Sequence, residues 1–403
     1  MTIIDSLSSD DATADQIHKS RADEADAAKE LASTLARAMV PVAADMDVEG
    51  EDEDVIKDDA EQRNKTRTRV IHHCAQLAPA VLQALELLVA KTHPPEITND
   101  QLLLTLAALT INTPEWKLSG RDSRRASTLL AQLLGNDDAK DTFIIEGILQ
   151  GYLRPLFSKS KPASVTESGR KVEFTDPAAG RGEGIPDDSA VTKPWKYLDF
   201  RAVPLVAWAV DEANVRFLNH LATVFLPSNY VSKETLVEKR WPLFLPVLLT
   251  LVDDTASDIR QRGLEILGNF IHKLPSKTLH GAGLASVFED AVVPTLSYLP
   301  SLTPEDESIQ LLIPAFDALR RLSKKQPAPA GQFKNKILDR LLREGVFHGY
   351  YYAKEHIRIV EVLCHELVPT MDEMGIHAVK HLKVSNPLPS LSQEAKILTN
   401  NRT

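Results

Sequence analysis

WPLFLPVLLTLVDDTASDIRQRGLEILGNFIHKLP, residues Trp241 to Pro275, reads as two helices folded back on each other. In the first, Leu243, Phe244, Val247, Leu248 and Leu251 recur on one face of a 3.6-residue period. In the second, Ile259, Gly263, Ile266, Leu267, Phe270, Ile271 and Leu274 do the same over four turns. The break Asp253-Asp254-Thr255-Ala256-Ser257 offers side-chain oxygens to the free N–H groups that open the second helix. Asp258 adds negative charge to its first turn, where the helix dipole favours it, and Pro275 stops it. Two helices sharing one apolar seam cannot bury that seam alone, so the unit calls for neighbours.

The chain supplies them. Residues 282–299 and 306–324 form a second candidate pair around the break SLTPED, and 332–346 with 354–374 form a third. The pairs begin near 241, 282 and 332, an interval in the forties, which is the spacing of HEAT and armadillo repeats. Pro246 and Pro294, inside first helices, fit the same pattern. The expected fold class is all-α, a HEAT/armadillo-like α-solenoid of antiparallel pairs.

Composition narrows the class further. The 403 residues are 43% hydrophobic and 25% charged, enough for a core; 17 Gly and 6% aromatic residues leave little room for a sandwich or barrel. Cys74 and Cys364 stand far apart with no CxxC, so a disulfide framework and a cysteine-rich zinc site are not expected. The N-terminus is acidic and lacks the apolar segment of a signal peptide. The longest apolar runs, Leu102–Ile111 and Leu243–Val252, are about half of a ~20-residue membrane span. A soluble intracellular protein is expected, in the cytoplasm with the nucleus as a second compartment. Net charge is −10, but residues 45–61 hold ten acids and one Lys. Acidity therefore belongs to one segment. No basic stripe with interleaved aromatics speaks for nucleic acid.

In chain order, residues 1–62 read as an acidic, disordered tail with a candidate helix at 22–40, carried by Leu31, Leu35 and Met39. Residues 63–153 resume helices: TRVIHHCAQLAPAVLQALELLVAK, then LLLTLAALTI capped from Thr98-Asn99-Asp100, RRASTLLAQLL after Ser119–Asp122, and TFIIEGILQGYL after Asp137-Asp138. Residues 154–194 are rich in Pro, Gly and Ser and read as a linker or insertion. Its Gly180-x-Gly182-x-Gly184 lacks the preceding strand and following helix of a phosphate loop. Residues 195–385 carry the repeats and 386–403 a polar tail, with one short helical piece after Met374.

Candidate chemistry is sparse. His365-Glu366 would need His at Pro369 to complete HExxH. His72-His73-Cys74 are adjacent, hence on different faces of a helix, and Cys364 reads as a buried small hydrophobe. No catalytic, cofactor-binding or metal residue is assigned, and no cofactor is expected. Tyr350-Tyr351-Tyr352 reads either as packing at a helix turn or as an interface cluster. Candidate partner-binding residues are Trp241, Asp253, Asp254, Arg260, Tyr350, Tyr351 and Tyr352, with Arg260 or Arg262 available to balance the adjacent carboxylates.

WPLFLPVLLTLVDD followed by Arg262-Gly263-x-x-x-Leu267 resembles the central motif of the Tel-two-interacting protein two family. Pro194-Trp195-Lys196 and Met374-Gly375-Ile376 with HAVKHLK are also similar to its pattern, so the resemblance covers about 195–385. It departs from the family in SNPLPSLSQEAKILTNNRT, which shows no further apolar stripe. The resemblance implies a non-catalytic α-solenoid, the smaller interacting subunit of the TTT co-chaperone complex. Its partners would be a large HEAT-repeat subunit and the telomere-maintenance subunit. Together they would link the heat-shock-ninety chaperone system to newly made phosphatidylinositol-3-kinase-related kinases, including the mTOR and ATM types. No nucleic acid or membrane partner is implied. The alternatives are another HEAT adaptor, for transport or phosphatase assembly, and a helical enzyme whose site joins residues distant in sequence.

Overall fold

Helices account for all the regular structure in the described residues. A computed structural model describes residues 26–38, 56–92, 97–111, 118–158, 201–213, 236–300, 302–325 and 332–381. The chain divides into two compact units, Met1–Ala209 and Val210–Thr403. The expected linker beyond residue 158 and the tails at 1–25 and 382–403 lie outside the described residues.

In the first unit, α1 (residues 26–38) corrects the reading of its stripe. It buries Ala28, Ala32 and Ala36, while Leu31 is exposed. Leu35 is half-buried, and Met39 lies outside the described residues. α2 (Ile56–Lys91) opens inside the acidic run and turns Cys74, Ala78, Leu82 and Leu85 inward. Its part His72–Lys91 is long and apolar enough to cross a membrane, by length and composition alone, though it holds no long unbroken apolar run. Here it packs on α4, and Glu86 on it pairs with Arg125 at 3.4 Å. α3 (Asp100–Thr110) starts as expected: the Leu102 N–H donates to Asn99 Oδ1 at 2.8 Å. α4 (Gly120–Leu134) is capped by Ser119, which accepts from the Asp122 N–H and donates to its carboxylate at 2.6 Å. α5 (Asp137–Thr142), capped by Asn136, continues as a π-helix through Phe143–Leu153 into α6 (Arg154–Ser158). α7 (Ala202–Glu212) places Trp208 against Phe143, ring centroids 5.8 Å apart.

The second unit is built of the three expected pairs. α8 (Leu236–Val252) begins five residues before Trp241 and is kinked at Arg240, whose backbone leaves the helical region (φ −121°, ψ 15°). Pro242 lacks an N–H to donate backwards and cannot share a straight helix with the preceding turn. α9 (Ser257–Lys273) is the second helix of the first pair. The second pair is α10 (Ser276–Gly281), α11 (Leu284–Val292), a 3-10 turn Val293–Ser297 containing Pro294, and α12 (Glu305–Lys324). The third is α13 (Gln332–Arg340), a π-helical turn Leu341–Phe347, α14 (His348–Ala353) and α15 (Ile357–Met374), followed by a 3-10 helix Gly375–His381. Second helices start 48 and 52 residues apart, somewhat longer than the interval read from the first helices. The short α10 and the continuation of α13 into α14 supply the difference.

Contacts between elements show how these pairs stack. α9 packs on α12 more extensively than any other two elements, and α12 packs in turn on α15; α8 meets α11, and the 3-10 turn after α11 meets the π-helical turn after α13. First helices thus form one layer and second helices the other. Small residues set the separation: Gly268 on α9 lies against the Ala318 backbone and the Arg321 stem. Gly263 is more demanding. A Cβ there would sit 2.7–2.8 Å from the Leu251 carbonyl and the Val252 nitrogen, so α9 crosses the end of α8 at backbone contact. That is the physical reason for glycine in the Arg262-Gly263 motif. Phe244, Phe270 and Phe288 run through the first two pairs, centroids 5.6 and 6.1 Å apart and almost wholly buried. Each such ring contributes roughly 1.5–3 kcal/mol by burial and about 0.5–1.5 kcal/mol by ring packing.

Candidate functional site

Polar and charged groups inside the second unit are consumed by the fold. Asp254 is fully buried; its Oδ1 accepts from the Ala256 N–H at 2.9 Å, and its backbone carbonyl accepts from Arg260 Nε at 2.8 Å. The Arg260 guanidinium lies over the Tyr298 ring, 4.4 Å from its centroid. The N-cap residue of α9 is Ala256, which has no side-chain cap; Asp254 Oδ1 accepts from that residue's N–H, and Ser257 Oγ donates to Glu307 at 2.5 Å. One expectation is corrected here: Arg260 donates to a main-chain carbonyl rather than pairing with a carboxylate, and Arg262 pairs with Glu265 at 2.9 Å. The sequence shows the right residue types but not this choice, because the carbonyl is brought into reach only by the fold of the turn.

Further ion pairs tie one pair of helices to the next. Buried Glu289 on α11 takes Arg340 at 2.9 Å and Lys336 at 3.2 Å from α13. Glu366 on α15 takes Arg320 of α12 at 2.9 Å through one oxygen, and its other oxygen lies 3.4 Å from Nδ1 of the largely exposed His365. Asp339 lies among Arg343, Lys380 at 2.6 Å and His381 at 2.8 Å. Burial alone would raise its carboxyl, but the Lys380 and Arg343 cations outweigh it and bring the pKa down to about 2. Among the described residues, no group of three or more His, Cys, Asp or Glu is arranged to hold a metal ion.

One edge carries a group of outward side chains, while Ile376 (82% exposed) and Val379 lie beyond the far end of α15. Ser257 and Glu307 join the starts of α9 and α12; Asp306 with Arg358 (2.5 Å) and Glu305 with His356 (3.5 Å) join the starts of α12 and α15. The three turns within pairs therefore lie side by side. At this edge Leu302 is 92% exposed, Ile357 81%, Tyr351 72% and Tyr352 59%. The two tyrosine rings meet edge to face at 5.0 Å, and His348 stacks on Tyr352 at 4.5 Å. Tyr350 differs from its neighbours: it is half-buried against Cys364 beside Phe347 and Val360. Of the seven candidates, Asp254 and Arg260 are inside, Trp241 and Tyr350 are half-buried, and Asp253, Tyr351 and Tyr352 face out. Leu302 and Ile357, exposed at the same edge, were not among the candidates, because a single apolar residue beside a polar turn leaves no periodic signal.

These features define an all-α protein whose second unit stacks helix pairs and exposes apolar side chains along an edge of turns. A model of the Tti2 family matches residues 102–390, and the chain belongs to the Tti2 family. The match extends beyond the 195–385 of the resemblance, toward the N-terminus, to include α3–α6. No solved structure matches the chain.

Proposed function

We propose that this chain is a non-enzymatic scaffold subunit of the TTT co-chaperone complex, supporting the maturation of phosphatidylinositol-3-kinase-related kinases. The observation that carries the reading is the Tti2 family match across most of the chain. The geometry agrees with it: the buried charges described above pair within the fold, and Leu302, Tyr351, Tyr352 and Ile357 are exposed apolar side chains on an edge suited to protein contact. Its partners would be the large HEAT-repeat subunit and the telomere-maintenance subunit, with the chaperone and the kinases engaged through them. The place of action would be the cytoplasm, with the nucleus second. Affinity purification of the tagged full chain from its native cell, read by mass spectrometry, tests this. Recovery of both subunits is expected, together with lower kinase protein and unchanged kinase message on depletion. Recovery of neither subunit would overturn the reading.

A further inference from the structure

We infer that the turn edge of the second unit docks a basic, apolar segment of a protein partner, a statement that rests on the scaffold reading above. Two observations combine. Leu302, Ile357, Tyr351 and Tyr352 are large side chains left in water, although the same fold buries comparable residues nearby. Of the three neighbouring segments 253–258, 302–307 and 354–358, the first two hold carboxylates and no Lys or Arg, and the three together are net acidic. Outside buried Asp254 they carry six carboxylates, Asp253, Asp258, Glu305, Asp306, Glu307 and Glu355, against the cations Lys354 and Arg358.

The occupant follows from that chemistry. A segment with apolar side chains covers Leu302 and Ile357, while its Lys or Arg groups meet the carboxylates and stack on the exposed tyrosine faces. Arg suits both roles and is enriched at the centres of interfaces. A second copy of this chain docked edge to edge would set the same carboxylates against one another, which disfavours it. Nucleic acid would bring phosphates to an acidic surface, and a lone cation would leave the apolar residues uncovered. Asp253, Asp258, Asp306 and Glu355 are exposed and Glu305 and Glu307 half-buried, so these carboxylates contribute chiefly to association rate and its salt dependence, and the apolar residues to lifetime.

The test uses the full chain with a helical peptide of Leu and Lys as probe, and a matching Leu and Glu peptide as its opposite. Anisotropy should show the Lys peptide binding the parent, more weakly at high salt, and the Glu peptide not binding. The triple variant Leu302→Ser, Tyr351→Ser, Ile357→Ser should bind the Lys peptide about tenfold or more weakly with unchanged melting, since these side chains make little of the core. Equal binding by parent and variant, or binding of the Glu peptide, overturns the inference. In the complex purified from the native cell, cross-links from Lys354 should reach a Lys- and Arg-rich apolar segment of another subunit. Cross-links only to this chain's own basic residues, or to an acidic segment, overturn it as well. If the parent recovers no complex subunit, the scaffold reading fails while the peptide result still decides the edge. If parent and variant recover the complex equally, the edge inference fails and the scaffold reading stands.

Discussion

The first and third turns of the second unit are opposites. In the first, Asp253 to Ser257, polar residues turn inward: Asp254 and Arg260 are buried and bind main-chain groups. In the third, around Tyr351 to Ile357, apolar residues turn outward, while Tyr350 alone reaches back to Cys364. A buried polar group persists only when it is bonded, and a large exposed apolar group persists at no cost to the fold. The first turn is therefore committed to stability, whereas the third retains side chains that stability does not require.

The comparison would break most violently at Leu267, fully buried on the helix that the first turn launches. Leu267→Asp should cost about 3–5 kcal/mol, since an unpaired carboxylate is buried. The expected outcome is insolubility or loss of the cooperative melt in circular dichroism; a soluble variant melting like the parent would show that α9 buries a different face.

The inward character of the first turn is measured next. Arg260→Ala removes the bond to the Asp254 carbonyl and the contact with Tyr298, and should cost about 2–3 kcal/mol. Asp253→Ala, one residue from Asp254 but exposed, should change stability by about 0.5 kcal/mol or less. Urea denaturation of the two variants together sharpens the contrast; equal losses would erase it.

In the third pair the inward charge is Asp339, which comes from α13 rather than from a turn. Its carboxyl, held at about 2 in the folded chain, is lower than the roughly 3.9 of an unfolded one. The unfolded chain then binds the proton first as pH falls, so the stabilisation is complete above about pH 4 and lost toward pH 2. Because Arg343 and Lys380 are well exposed, the contribution is about 1–2 kcal/mol. Asp339→Asn should remove that part of the acid sensitivity in urea melts run near pH 3 and at neutrality, and a parent curve flat from neutrality to pH 3 would contradict the arrangement.

The smallest effect belongs to the outward tyrosines. Tyr351→Ser should leave melting within the error of about 0.5 kcal/mol typical of surface changes, while Tyr350→Ser should cost about 1–2 kcal/mol by uncovering Cys364. Reversal of that order would mean that the two rings have exchanged places.

Helix positions, their apolar faces and the pairing of neighbours were set by residue order alone. Phe244, Val247, Leu251 and Ile266, Leu267, Phe270 declare their stripes, because a 3.6-residue period is a local property of the chain. The caps at Asn99 and Ser119 were legible for the same reason, since donor and acceptor lie within one turn of each other. In α1 the sequence pointed to leucine, yet Ala28, Ala32 and Ala36 are buried and Leu31 is exposed, because burial depends on the surface opposite and not on the stripe alone. Tertiary structure alone decided that Asp254 goes inside and Asp253 does not, that Glu289 meets Arg340 across 51 positions, and that Leu302 and Ile357 share an edge. Those outcomes require groups remote in sequence to be brought within a few ångströms, and no local periodicity encodes such a meeting.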